Sequence, residues 1–278
     1  MPEARTEERS SREKIARRLR RDIVTSTTKA GSGHPSTSLS MVEVITQLYF
    51  GGVLRYDPRD PHNPGRDRFI LSKGHGAPGL YAVLAEAGYF PVEDLGTLRQ
   101  LGSALEGHPN MQRLAGVEAS TGSLGQGLSL GLGHALAAKI DGLDYRVYVM
   151  IGDGESEEGQ IWEAAMYAGS QHIDNLTLVV DLNGYQQTDA VEKIQPLAPL
   201  DERFKGFGWE TTAIDGHSLD EVEKAFDWAR GVKGAPQAIV AHTVKGKGVS
   251  LLEEAPWKWH GKPVPPEEEA KALEEIGA

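Results

Sequence analysis

The chain has 278 residues, 39% hydrophobic and 25% charged, a globular composition that excludes a disordered or collagen-like polymer. Its 40 acids against 29 lysines and arginines leave a net charge of −11, which disfavours nonspecific attachment to nucleic acid or anionic membranes. Cysteine is absent, which excludes disulfides, thiolate metal sites and thiol nucleophiles and makes a cytoplasmic location the expectation. No run approaches the roughly 18 apolar residues of a membrane span, and Met1-Pro2-Glu3-Ala4-Arg5 has no apolar signal core. The length suits a single domain over residues 1–278, with a polar start at 1–11 and an acidic tail at 264–278. Glycine is abundant at 33 residues, against a typical share of ~7%, and clusters beside histidines and short apolar runs.

In chain order, Ser11 to Ala30 carries Ile15, Leu19, Ile23 and Val24 at helical spacing, which predicts an amphipathic helix with a solvated basic face. A second helix spans about Ser40 to Gly51. Turn formers crowd Tyr56 to Gly65 and exclude regular structure there, and Asp67 to Ser72 reads as a short strand. Tyr145 to Ile151, Leu176 to Asp181 and Ala238 to Val244 are apolar, β-branched runs that predict buried parallel strands; Trp209 to Ile214 is a weaker fourth. Helical stretches at Gln126 to Ile140, Gln160 to His172 and Leu219 to Gly231 lie between them. The fold class is therefore α/β, a doubly wound, mainly parallel sheet with helices on both faces, where ligands bind at the carboxyl ends of strands. The tail from Pro265 suits a short acidic helix with proline in its first turn.

The strand ending at Ile151 runs into Gly152-Asp153-Gly154-Glu155-Ser156-Glu157-Glu158-Gly159 and then a helix. Glycine there lets the backbone approach a phosphate, and the free N–H groups of a helix start favour an anion. A dinucleotide fingerprint fails, because the third glycine of G-x-G-x-x-G falls on Glu157, and no P-loop is present. Asp153 puts a carboxylate where a diphosphate would sit, which is repulsive unless a divalent cation bridges the two. Asn183, at the end of the next strand 30 residues on, offers an amide oxygen, and the turn after it a carbonyl. Those three ligands, two phosphate oxygens and a water would complete an octahedron. Taken singly, Asp153 is a helix-start charge and Asn183-Gly184 a common turn; their joint spacing favours a metal-diphosphate site.

Gly152-Asp153-Gly154 followed by Asn183 at this spacing resembles the signature of thiamine diphosphate enzymes. Ser32-Gly33-His34-Pro35, Ser72-Lys73-Gly74-His75-Gly76, Glu106-Gly107-His108-Pro109 and Thr121-Gly122-Ser123-Leu124-Gly125-Gln126-Gly127 follow in the order of the transketolase family. The resemblance runs from about residue 12 to residue 263 and covers the amino-terminal, diphosphate-binding half of a full-length transketolase, as in the first subunit of a split enzyme.

The resemblance implies that Asp153, Asn183 and the carbonyl of Tyr185 bind Mg²⁺ or Ca²⁺, and that the Gly154 N–H and His75 contact the diphosphate. Gly122 and Leu124 would lie against the aminopyrimidine, and Glu158 would support the cofactor site and a subunit contact. His34, His108 and His260 would surround the reacting carbon, where imidazole suits both hydrogen bonding and proton transfer. Each also has a plain alternative: a histidine beside glycine in a surface turn, or for His260 a docked tail. His62, His134, His172, His217 and His242 match no motif and read as structural or exposed. Lys245-Gly246-Lys247-Gly248 resembles the family's loop before the last histidine; its lysines could attract a sugar phosphate, but it reads better as a solvated loop. Where the family often has Gly-Gly after His-Pro, this chain has Ser36-Thr37, which narrows backbone freedom beside His34.

In the family, the glutamate that protonates the aminopyrimidine and the phosphate-gripping arginines lie in a pyrimidine-binding domain. The resemblance therefore implies a second subunit supplying those groups, a heterotetramer, and transfer of a two-carbon ketol unit between sugars or sugar phosphates, with no nucleic acid or membrane partner. Alternatives are a deoxyxylulose phosphate synthase-like, 2-oxoacid dehydrogenase-like or acyl-transferring enzyme subunit, or a non-catalytic scaffold. Glu118 to Gly127 favours transketolase.

Overall fold

The computed structural model describes residues 2–277, and side chains from residue 7. The chain begins with α1 (Pro2–Ala30), α2 (Pro35–Leu39) and α3 (Val42–Phe50), then β1 (Arg68–Leu71), α4 (Ala77–Glu86) and α5 (Gln126–Asp141). The alternating part follows: β2 (Val147–Gly152), α6 (Gly159–Ser170), β3 (Leu176–Leu182), α7 (Val191–Ile194), α8 (Leu200–Gly206), β4 (Glu210–Asp215), α9 (Leu219–Gly231) and β5 (Gln237–His242). Two helices close the chain, α10 (Ser250–Glu253) and α11 (Pro266–Ile276).

All strand pairings are parallel, in the order β1-β2-β3-β5-β4. Because side chains alternate across a strand, Val147, Val149 and Ile151 of β2 enter one apolar core while Tyr148 and Met150 enter the other. The first core is covered by α5, α6 and α8, the second by α1, α3, α4, α9 and α11. Burial on both faces is why these strands read as continuous apolar runs. Close approach explains one glycine of α5: a Cβ on Gly131 would stand 2.3 Å from Val149 Cγ2, so the helix lies directly on the sheet. Among the described residues no helix is long and apolar enough to cross a membrane.

The structure corrects several expectations. The polar start is part of α1, extended by charged residues such as the Arg9–Glu13 pair. The basic face of α1 is not simply solvated, since Arg12 and Arg20 are buried against Glu223 at 3.1 Å and Glu43 at 2.7 Å. β2 starts at Val147 because the Arg146 N–H is taken by Asp67 Oδ1, at 2.8 Å, outside the ladder. β5 stops at His242, where the Val244 N–H turns away to His217 Nε2 at 2.8 Å. α4 escaped the periodicity reading because nine of its ten residues are buried, leaving no polar stripe.

Candidate active site

The site lies where β2 and β3 end, with Gly152 and Asp181 paired across the ladder. Asp153 follows at once, buried. Its carboxylate accepts the Gly154 N–H at 2.8 Å and the Gly184 N–H at 2.5 Å. Burial and the nearby charge of Asp181 push its pKa up to about 6. Asn183 is also buried; its amide donates to Asp181 Oδ2 at 3.1 Å, and its oxygen accepts the Tyr185 N–H at 3.2 Å. The Tyr185 carbonyl accepts from the Lys245 ammonium at 3.1 Å.

Lys245 therefore does not sit in a solvated loop. It is buried beneath the turn that carries Tyr185, and burial lowers its pKa to about 8 against the opposing pull of Asp153. A cavity of about 350 Å³ opens above these groups, and His75, Leu124, Asp153, Gly154, Glu158, Asn183, Tyr185 and His260 all line it. Thr37 and Lys245 join them without having been assigned a role from the motifs.

Three of the four motif histidines meet. The rings of His34, His75 and His260 form a triangle with centroids 5.3–5.4 Å apart. His108 stands outside it, exposed and against Gly122: at φ +142°, a Cβ on that glycine would come 2.9 Å from His108 Cδ2. Burial, with neighbouring cations and imidazoles, lowers the pKa of His34 to about 4, of His260 to about 3 and of His75 well below its usual range. His108 is lowered too, by burial and Arg99. At neutral pH all four are uncharged, each with one N–H donor and one acceptor nitrogen.

The frame beneath the site rests on two residues that the motifs contain but do not explain. Lys73 is fully buried. It pairs with buried Asp181 and spends its other two donors on Thr37, at 2.9 Å to the carbonyl and 3.0 Å to the hydroxyl. Glu155 is buried and accepts from Ser72 at 2.5 Å, Gly125 N–H at 2.9 Å and Gly152 N–H at 3.1 Å, tying β1, α5 and β2 together. Ser36 and Thr37, the departure beside His34, lie buried in α2; Ser36 Oγ donates to the Trp259 carbonyl at 3.0 Å and so anchors the segment bearing His260.

The residues present fit a diphosphate cofactor with a divalent cation. Nδ1 of His34 and Nδ1 of His260 are buried without a hydrogen-bond partner, a costly state unless a ligand occupies them. Carboxylate, amide and carbonyl oxygens are the donor set of a hard cation. Among the described residues no cluster of three histidines and acids forms a competing metal site.

Residues 11–278 match the family described as transketolase, thiamine diphosphate binding domain. The chain belongs to the transketolase family. It is 48% identical over 225 residues to SqwG, the 6-deoxy-6-sulfo-D-fructose transketolase subunit of Clostridium sp. (strain MSTE9), covering 81% of this chain and 82% of that one. It is 42% identical to a subunit of the apulose-4-phosphate transketolase of Actinobacillus succinogenes, over 95% of each. With the transketolase of Mus musculus it shares 45% identity over 94% of this chain, but spans only 41% of that protein. The solved transketolase from Leishmania mexicana superposes with a TM-score of 0.88 at 32% identity, over 96% of this chain and 41% of that one. The parallel sheet flanked by helices is thus the fold of a transketolase amino-terminal domain.

Proposed function

We propose that this chain acts as a single diphosphate-binding unit, one subunit of a thiamine diphosphate- and Mg²⁺-dependent transketolase that moves a two-carbon ketol unit from a ketose to an aldose or aldose phosphate. The observation that carries the reading is the pairing, in one cavity, of cation-type oxygens from buried Asp153 and Asn183 and from Tyr185 with the partnerless Nδ1 of His260.

Asp153, Asn183 and the Tyr185 carbonyl would hold Mg²⁺ or Ca²⁺; in the structure that carbonyl takes the Lys245 ammonium, a cation in a related position. Lys245, His75 and the Gly154 N–H would face the diphosphate, with Leu124 against the ring system and Glu158 at its edge; Gly122, which does not line the cavity, would reach the ring system only from beside it. When bound, thiamine diphosphate supplies an electron sink for the carbonyl carbon of the ketose. This chain contributes orientation and proton traffic. His34 and His260, uncharged and half-buried, can donate to or accept from sugar hydroxyls, and exposed His108 can exchange its proton with water.

The names and coverage of the two subunit relatives support a second chain; in this reading that chain carries the pyrimidine-binding domain, its glutamate and its phosphate-binding groups, and the two assemble as a cytoplasmic heterotetramer. Calorimetric titration of thiamine diphosphate into the chain with its partner is expected to show Mg²⁺-dependent binding that Asp153→Ala abolishes. No binding to the wild type would sink the reading. Ketol transfer by this chain without its partner would overturn the two-chain assignment.

A further inference from the structure

Lys245 reaches the Tyr185 carbonyl from the loop after β5, where Gly246 and Gly248 both adopt left-handed backbone, at φ +86° and +94°. Glycine leaves a loop free to take many conformations, so the preferences of this one do not hold a buried lysine in place. The pins come from elsewhere. Glu43 of α3 is buried and accepts a fork from Arg20 of α1, at 2.7 and 2.9 Å, and the Nδ1–H of His217 at 3.0 Å. Each of these partners then reaches the loop. His217 Nε2 accepts the Val244 N–H at 2.8 Å, and Arg20 Nε donates to the Lys247 carbonyl at 3.2 Å. The two contacts flank Lys245, one residue before it and two after.

The chemistry of the network fixes its polarity. Because Nε2 accepts from the backbone, the ring proton stands on Nδ1 and points at the carboxylate. Arg20 supplies the counter-charge that a buried carboxylate needs, in a planar fork. A third tie, the Gly246 N–H on the Ser36 carbonyl at 2.8 Å, joins the same loop to α2. Side chains of α1, α3 and the turn between β4 and α9 thus converge on one carboxylate. Arg20, Glu43 and His217 do not line the cofactor cavity and can act on it only through the loop, whereas Lys245 lines it.

We propose that Glu43, Arg20 and His217 are positioning residues that clamp the loop at Val244 and Lys247 and so hold the Lys245 ammonium in the cofactor cavity. The inference rests on the proposed function only in taking that cavity to receive a diphosphate.

Variants that cut one tie at a time test it in the full chain. His217→Asn keeps a donor for Glu43 but gives up the acceptor for Val244, and His217→Gln does the reverse, because the two amides overlie the Nδ1 and Nε2 positions. Arg20→Lys keeps the charge beside Glu43 and gives up the Lys247 carbonyl. Acylation of the Lys245 amine and amide hydrogen exchange over residues 243–249, both read by mass spectrometry, report on the loop; exposed Lys258 and buried β2 serve as references. His217→Asn and Arg20→Lys should each speed both processes by about tenfold, the worth of one hydrogen bond, while Lys258 and β2 keep their wild-type rates. His217→Gln should stay within about threefold of wild type. With the partner chain present, the first two variants should weaken Mg²⁺-dependent thiamine diphosphate binding by about tenfold, and His217→Gln should retain most of it. The clamp is refuted if Lys245 reacts at the wild-type rate in both loosened variants, if exchange rises equally in β2, if His217→Gln is as labile as His217→Asn, or if the cofactor binds as tightly once Lys245 is freed. A wild type that binds no thiamine diphosphate while Lys245 shows the expected pattern would count against the proposed function alone.

Discussion

Replacing Lys73 with methionine tests whether the site stands on a buried ion pair. Both side chains of the Lys73–Asp181 pair are fully buried. All three ammonium donors are used, one on Asp181 and two on Thr37. Asp181 in turn accepts from Ser40 at 2.7 Å, Asn183 at 3.1 Å and the Thr243 hydroxyl. Burial pushes the Asp181 carboxyl upward, but Lys73 and these hydroxyls more than offset it and hold the pKa below its ordinary value. Methionine matches the lysine stem in shape, so the main change is a carboxylate left without counter-charge, which costs about 3–5 kcal/mol. With a urea m-value near ~3 kcal/mol/M, the unfolding midpoint should fall by about 1 to 1.7 M. Asp181→Asn on the Lys73→Met background removes the uncompensated charge while keeping an acceptor for Ser40 and offering an amide donor to the Thr243 hydroxyl, which can accept it, so the double variant should recover about 2 kcal/mol. Far-UV circular dichroism through urea titrations at pH 7 provides the measurement. A midpoint within about 0.3 M of wild type for Lys73→Met, or a double variant whose loss equals the sum of the singles, would refute the reasoning.

Three further predictions concern the site and the frame. Saturating thiamine diphosphate with Mg²⁺ at 100 times Kd should stabilise the wild type by about 2.7 kcal/mol, raising Tm by about 5–10 °C, while Asp153→Asn, whose NH2 would face one of the two backbone N–H groups that the carboxylate accepts, should start lower and show no rise. An equal rise in both proteins would exclude Asp153 as a cation ligand. Two glycines of α5 should respond with opposite signs: Gly131→Ala drives a Cβ into Val149 and should lower Tm by about 2–8 °C, whereas Gly133→Ala meets nothing and should raise it by about 1–3 °C. Equal effects in scanning calorimetry would show that α5 does not lie against β2 as described. Burial raises the Glu43 pKa, but Arg20 and His217 outweigh it and leave the folded value depressed, so its stabilisation is present above about pH 4.5 and lost as pH falls through the folded pKa. Glu43→Gln should flatten that acid limb of the stability curve; parallel curves for the two proteins would contradict the assignment.

Local signals were sufficient for the sheet. Short β-branched runs ended by glycine or acid located the four main alternating strands to within two residues at most ends, because burial on both faces leaves only apolar side chains to read. Gly152-Asp153-Gly154 and Asn183 stand out for a related reason: a phosphate approach would need glycine and a helix start, and a hard cation would need oxygen, so the proposed chemistry restricts residue type at a point in the chain. The buried arginines of α1, the buried lysine at 245 and the almost entirely buried helix α4 were not legible. A lysine or arginine has the same identity whether it is solvated or paired, and a helix apolar on every side has no periodic stripe.

The amino-acid sequence by itself determined the α/β alternation, the strand ends where ligands would bind and the oxygen set offered there. Tertiary structure alone decided which side chains share that space. It joined His75 to His34 and His260 while His108 turned toward Gly122, paired Lys73 with Asp181 across 108 residues of chain, and set Lys245 on the Tyr185 carbonyl. The physical reason is that hydrophobic periodicity encodes which face of an element is buried. Which charges and imidazoles end within hydrogen-bond reach depends on how distant elements pack, and no local pattern records it.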